Sequence, residues 1–176
     1  GLKRSSLPQR VVEKRVISVS SIHKTVLFQD ENGSLLGFGH GNYGKLGNNS
    51  TTSQNSPSLV GNNQVISSAA GGDHGAMVLE DGSLWTFGRN NYGQLGDGNK
   101  TDRLSPVKIV QQSVTQVATG WNHTLFLMND GSVWGMGEIT MDSWEMITKV
   151  INLYPKELLL PVRNGYPLVI CILLLE

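Results

Sequence analysis

One cysteine, Cys171, is all the thiol this chain has, so neither an internal disulfide framework nor a thiolate-rich zinc site can be built from it. A reducing compartment suits such a chain, and an intracellular location, cytoplasmic or nuclear, is the expectation. Apolar runs are short. The run Tyr166 to Leu175 is about half of the roughly 20 residues a membrane-spanning helix needs, and the N-terminal residues carry no signal-peptide core, so no membrane association is expected. Charged residues make up only 16% of the 176 and sum to zero, which gives no electrostatic reason to expect nucleic acid as a partner. The cations are nonetheless uneven: Lys3, Arg4, Arg10, Lys14, Arg15 and Lys24 face only Glu13 over the first 24 residues, a pattern read as a solvated edge. Asn-x-Ser/Thr triplets at Asn48, Asn49, Asn99 and Asn122 carry little weight in so Asn-rich a sequence. Helical periodicity is also missing, and 21 glycines point to a turn-rich β protein.

What the chain does have is a period. Pro8, Pro57 and Pro106 recur at an interval of 49, as do Val16, Val65 and Val114; Gly33, Gly82 and Gly131; and Gly39, Gly88 and Gly137. Spacing of this size marks units that cannot bury their own apolar faces and must stack on their neighbours. The second unit shows the design. Val65 to Ala70 forms a strand closed by Gly71-Gly72, His74 to Leu79 an apolar run, and Asp81-Gly82 turns it into Leu84 to Phe87. A Gly-rich and Asn-rich loop follows, then an edge strand near Pro106 to Val110, where proline is tolerable. Gly33, Gly82 and Gly131 are read as the structural turn residues, supplying the positive φ a tight hairpin needs. The expected division is 1–15 as the end of an incomplete unit, then repeats at 16–64, 65–113 and 114–162, the last degenerate after 137, and an atypical segment 163–176. Hairpin strands apolar on both faces, such as Leu125 to Met128, call for sheets packed face to face.

Two segments carry a family resemblance. VTQVATGWNHTLFLMNDGSVWGMG, from Val114 to Gly137, and WTFGRNNYGQLGDG, from Trp85 to Gly98, resemble the repeat of the regulator of chromosome condensation family, with similarity running from Leu7 to about Gly137. The resemblance implies an all-β fold, a partial β-propeller of about three and a half four-stranded blades where the family closes with seven. Open blade edges would then favour self-association, or pairing with the remaining blades of a longer propeller. It also implies a non-catalytic protein-interaction module. The alternative is a guanine-nucleotide exchange factor, or part of one, for a Ran-type small GTPase, the activity of the family's founding member. The 49-residue intervals leave no room for the inserted wedge such exchange uses.

Other chemistry is poorly supported. Gly39-His40-Gly41-Asn42-Tyr43-Gly44 satisfies a dinucleotide fingerprint, but its mate Gly88-Arg89-Asn90-Asn91-Tyr92-Gly93 lacks the middle glycine and neither opens a helix. His23, His74 and His123 occur once per unit; with no paired ligand motif they are read as buried imidazoles bonding to neighbouring backbone rather than as a metal site. No Ser-His-Asp nucleophile motif exists, and no enzyme activity or cofactor is expected. Trp85 and Trp134 are read as packing between blades. The loops Gly39 to Gly47 and Gly88 to Gly98 are the candidate partner surface, with Tyr43, Arg89, Tyr92 and Trp121 as anchors and a protein, such as a small GTPase, as partner.

Overall fold

The computed structural model describes residues 12–13, 15–61 and 64–139. Expectations placed on 1–11 and 140–176 lie outside the described residues. Within them, eleven strands form three antiparallel sheets that follow one another along the chain. The first contains β1 (Val16–Ile22), β2 (Thr25–Asp30), β3 (Leu35–Gly39) and β4 (Gln54–Gly61), hydrogen-bonded in that order. The second repeats the plan with β5 (Val65–Ala70), β6 (His74–Leu79), β7 (Leu84–Gly88) and β8 (Arg103–Val110). The third shows β9 (Val114–Thr119), β10 (His123–Met128) and β11 (Val133–Gly137). This is a partial propeller of stacked blades.

Successive side chains of a strand point to opposite faces, so a strand between two blades must be apolar on both. β6 meets this demand with Ala76, Met77 and Val78, all buried. Met77 joins Leu27, Leu35, Val60, Val65, Ala70 and Phe87 in the core between the first and second sheets. Ala76 and Val78 join Ala69, Leu84, Val114, Val117 and Phe126 between the second and third. Each large apolar side chain buried this way contributes about 1.5–3 kcal/mol. The first strands of consecutive blades lie side by side: Ser20 Oγ accepts from Ala70 N–H at 3.0 Å, and Ser67 Oγ from Val117 N–H at 3.2 Å.

The β2–β3, β6–β7 and β10–β11 turns share one rim. Gly33, Gly82 and Gly131 there have φ of +75°, +76° and +83°. Close approach matters as much as φ, since a Cβ on Gly82 would sit 2.6 Å from Ser113 N. The turn carbonyls hold the next blade: Val65 N–H donates to Gly33 O and Val114 N–H to Gly82 O, each at 3.0 Å. Ser83 adds a link that the turn signature did not announce. Its hydroxyl donates to Asp81 Oδ1 at 2.5 Å and accepts from Trp85 Nε1–H at 2.9 Å, and Asp130, Ser132 and Trp134 repeat the arrangement. The Ser83 and Ser132 hydrogen bonds hold the Asp81 and Asp130 carboxyls below their usual range. Trp134, in β11, is half exposed in a sheet of which three strands are described, while Trp85 lies partly buried against the first core.

The histidine register needs correction. Thr25 pairs with Gly39, His74 with Gly88 and His123 with Gly137, so the 49-residue phase is unbroken and Thr25, not His23, is the first blade's equivalent of His74. Sterics explain the exchange. A Cβ on Gly71 would lie 2.4 Å from the His74 ring, and one on Gly120 would lie 2.2 Å from the His123 ring. A histidine at this place thus requires glycine three residues earlier. Where the first blade has the smaller Thr25, the earlier position accepts Ile22. His23 then aligns with Gly72 and Trp121, at the tip of the β1–β2 turn with φ +53°.

Candidate functional site

The β1–β2 turns and β3–β4 loops, with their equivalents in the later blades, occupy the rim opposite the hairpin glycines. Tyr43 stands in a single 3-10 turn, Asn42–Gly44, with φ +62°, and is 40% exposed. The Arg89 guanidinium from the second blade lies over its ring, 4.5 Å from the centroid. Arg89 also contacts Asp73 Oδ2 at 3.3 Å, and Asp73 Oδ1 takes a hydrogen bond from Lys45 Nζ at 2.9 Å. Lys45 is only 4% exposed and donates as well to Gly72 O at 3.3 Å. Burial by itself would raise the Asp73 carboxyl, but Lys45 and Arg89 together hold it below the usual range. Asp73 is the hub of this junction. The repeat pattern points to Arg89 and Tyr43 but not to Asp73, because Lys45 and Asp73 depart from their repeat mates Gln94 and Asn122, and a period registers only what recurs.

Tyr92, 43% exposed, holds in the second loop the place Tyr43 has in the first; its backbone N–H donates to Gln94 Oε1 at 2.9 Å. Trp121, 53% exposed, stands edge-on to His23 with ring centroids 4.3 Å apart. The contact joins the first blade to the third across Gly72, where a Cβ would approach the indole to 3.2 Å. Tyr43 and Arg89 therefore meet directly, and Trp121 finds a partner that the sequence did not suggest.

The second loop is stapled by Asn90, which is fully buried. Its Nδ2 donates to Asp97 Oδ1, Asn99 O and Thr101 O, its Oδ1 accepts from Leu95 N–H, and its own N–H donates to Asp102. Arg103 closes the loop on Asp97 at 2.7 Å. Burial would raise the Asp97 carboxyl, but the Arg103 hydrogen bond and those from Asn99 and Asn90 keep it low. In the first loop Gly41 replaces Asn90, and its Cβ would lie 2.3 Å from Thr52 O. The glycines of Gly39 to Gly44 thus serve close packing, and no helix follows them to hold a pyrophosphate.

His74 is buried between the second and third blades, and its Nε2 lies 2.9 Å from Thr124 Oγ1. Thr124 spends its one hydroxyl hydrogen on Gln94 O at 2.8 Å, so it must accept from an Nε2–H tautomer. The Nε2 partner is a neighbouring hydroxyl that relays to the Gln94 backbone carbonyl. Burial pushes the His74 imidazole down to about 4, with the His123 charge acting the same way. Among the described residues no group of three His, Cys, Asp or Glu is placed to hold a metal ion, and no helix is long and apolar enough to cross a membrane.

Stacked four-stranded sheets with short inter-blade connectors define a β-propeller repeat protein. The regulator of chromosome condensation (RCC1) repeat model matches residues 32–78 and 81–127, more than half of the chain, and a second model of the same repeat matches 65–94. The chain belongs to the RCC1 repeat family. Both longer matches start near a hairpin turn and end in the central strand of the next blade, so the family's sequence unit straddles two sheets. Among solved structures, human WBSCR16 is similar at 26% identity and a TM-score of 0.65, over 73% of this chain and 34% of that one. Yeast RCC1 (Prp20), in its complex with Kap60, is similar at 22% and 0.63 over 76% and 32%. Prp20p from Saccharomyces cerevisiae, studied for binding to Gsp1p and histones, is similar at 23% and 0.59 over 75% and 33%. The chain spans about a third of the length of each. No curated protein sequence matches it.

Proposed function

We propose that the chain is a protein-interaction module whose working surface is the rim carrying Tyr43, Arg89, Tyr92 and Trp121. The observation that carries this reading is the exposure of three aromatics on one rim, with Arg89 held over one of them. Aromatic and arginine side chains dominate interface energetics, and an arginine already held over a ring has less rotamer freedom left to lose. In a propeller the loops of such a rim are free to vary while the sheets keep the fold.

Prp20p supplies the probes. The chain should be tested against a Gsp1p-type GTPase and against histones, with Tyr92→Ala and Arg89→Ala each weakening capture by roughly 1–2 kcal/mol and Tyr92→Ala leaving the melting temperature nearly unchanged. Failure of both probes to bind, or binding indifferent to both substitutions, would reject this rim. Nucleotide exchange is the competing outcome. It requires the module to favour the nucleotide-free GTPase, and a sub-stoichiometric rise in fluorescent GDP release would replace the binding reading with it.

A further inference from the structure

On the same rim, beside the Tyr43–Arg89 contact, His23, Lys24, His40 and Lys45 line a cleft of about 390 Å³. Every one of them is a hydrogen-bond donor or becomes one on choice of tautomer, and two are permanent cations at neutral pH. Lys24 is exposed, and no ion pair engages its ammonium among the described residues. Lys45 is different: it is buried and spends N–H groups on Asp73 and Gly72. Its charge is balanced by Asp73, so Lys24 is the cation that the cleft offers to an incoming anion.

Comparison within the chain shows that the fold does not ask for this set. The positions of His23, Lys24, His40 and Lys45 are filled in the second blade by Gly72, Asp73, Arg89 and Gln94, and the first three are filled in the third by Trp121, Asn122 and Glu138. Those pairs close on themselves: Asp73 binds Arg89, and Asn122 Nδ2 donates to Glu138 Oε2 at 2.9 Å. Lys24 and His40, the matching pair, are both donor-bearing and have no acid between them. Asp73 balances Lys45, while among the described residues no carboxylate pairs with Lys24 or His40.

We propose that the cleft receives an oxyanion carried by a peptide segment of the partner, a Glu or Asp carboxylate or a phosphorylated side chain, with Trp121 packing beside it through His23. A peptide is favoured over nucleic acid because the cations form one pocket rather than a track along a backbone. The inference rests on the reading of this rim as a docking surface and names the chemistry of what docks.

The experiment is calorimetric titration of the chain with blocked hexaglutamate, with the same peptide carrying one phosphoserine in place of a central glutamate, and with oligothymidylate of matched charge. Binding of either peptide, weakened at least tenfold by Lys24→Glu and by His40→Glu at unchanged melting temperature, is the expected result; the stronger of the two peptides identifies the source of the oxyanion. Absence of binding by both peptides, binding unaffected by either substitution, or a preference for oligothymidylate would overturn the proposal. If the peptides fail while Tyr92→Ala still weakens capture of a GTPase or histone probe, the cleft is rejected and the rim stands.

Discussion

The two blade junctions occupy equivalent places in the repeat and are built from opposite chemistry. At the first, a buried ammonium meets a carboxylate that also binds a guanidinium, and the guanidinium in turn covers a tyrosine of the preceding blade. At the second, Gln94 replaces the lysine, Asn122 the aspartate, and a neutral chain from His74 through Thr124 to the Gln94 carbonyl crosses the gap. Apolar packing beneath is similar in both. The difference shows that blades stack over a similar apolar core whether the polar edge is charged or neutral. It also sets different vulnerabilities, since a charged edge fails when one partner is removed and a neutral buried imidazole fails in acid.

The sharpest break is Asp73→Ala. It strands the buried Lys45 ammonium beside a single backbone carbonyl and should cost about 2–4 kcal/mol, whereas Thr124→Val at the second junction should cost about 1–2 kcal/mol. Urea denaturation of the two variants measures both, and the reverse order would dissolve the contrast. The paired exchange Lys45→Gln with Asp73→Asn installs the second junction's edge at the first and should restore stability to within about 1.5 kcal/mol of the parent.

Acid should act through the second junction. His74 has a folded pKa of about 4 against 6.5 in the unfolded chain, so the unfolded state takes up the proton first. The imidazole's contribution is complete above about pH 6.5 and is lost as pH falls towards 4, up to about 3 kcal/mol, since each tenfold difference in proton affinity is worth roughly 1.4 kcal/mol. His123, also lowered by burial, changes stability in the same direction. A His74→Gln variant should show a flatter stability profile between pH 6.5 and 4; an unchanged slope would show that the junction does not titrate.

The hairpin rim allows strain and close packing to be separated. Gly82 and Gly93 share a φ of +76°, but a Cβ at Gly93 meets nothing within 4 Å while one at Gly82 meets the connector into the third blade. Gly93→Ala should cost about 1 kcal/mol and Gly82→Ala about 2–3 kcal/mol by thermal melting, with equality showing that only φ matters. Smallest of all, Tyr43→Ala removes the ring beneath Arg89 and should cost about 0.5–1 kcal/mol.

Much of this architecture was legible in the sequence because its causes are local. Gly33, Gly82 and Gly131 report a backbone angle, and Leu125 to Met128 report two buried faces; both survive in any neighbourhood. The junction chemistry was not legible, since Lys45 and Asp73 are 28 residues apart, belong to different blades and break the period. His23 misled for a related reason. It repeats the residue type of His74 and His123 without their phase, and only the pairing of Thr25 with Gly39 reveals the true mate. The role of Ser83 was not legible either, because a small residue after a turn glycine carries no signal of its own and the hydroxyl's place between Asp81 and Trp85 is a matter of geometry.

The contact between Gly71 and the His74 ring dictates an order of events as well as a geometry. A side chain cannot enter at 71 while the imidazole stands at 74, so any lineage leading from that pair to the Ile22 and Thr25 of the first blade must surrender the histidine before the glycine. The reverse path must install the glycine first. A side chain at one position and an imidazole at the other exclude each other, which fixes the order of single substitutions in either direction, and the first blade stands at the opposite end of that order from the other two.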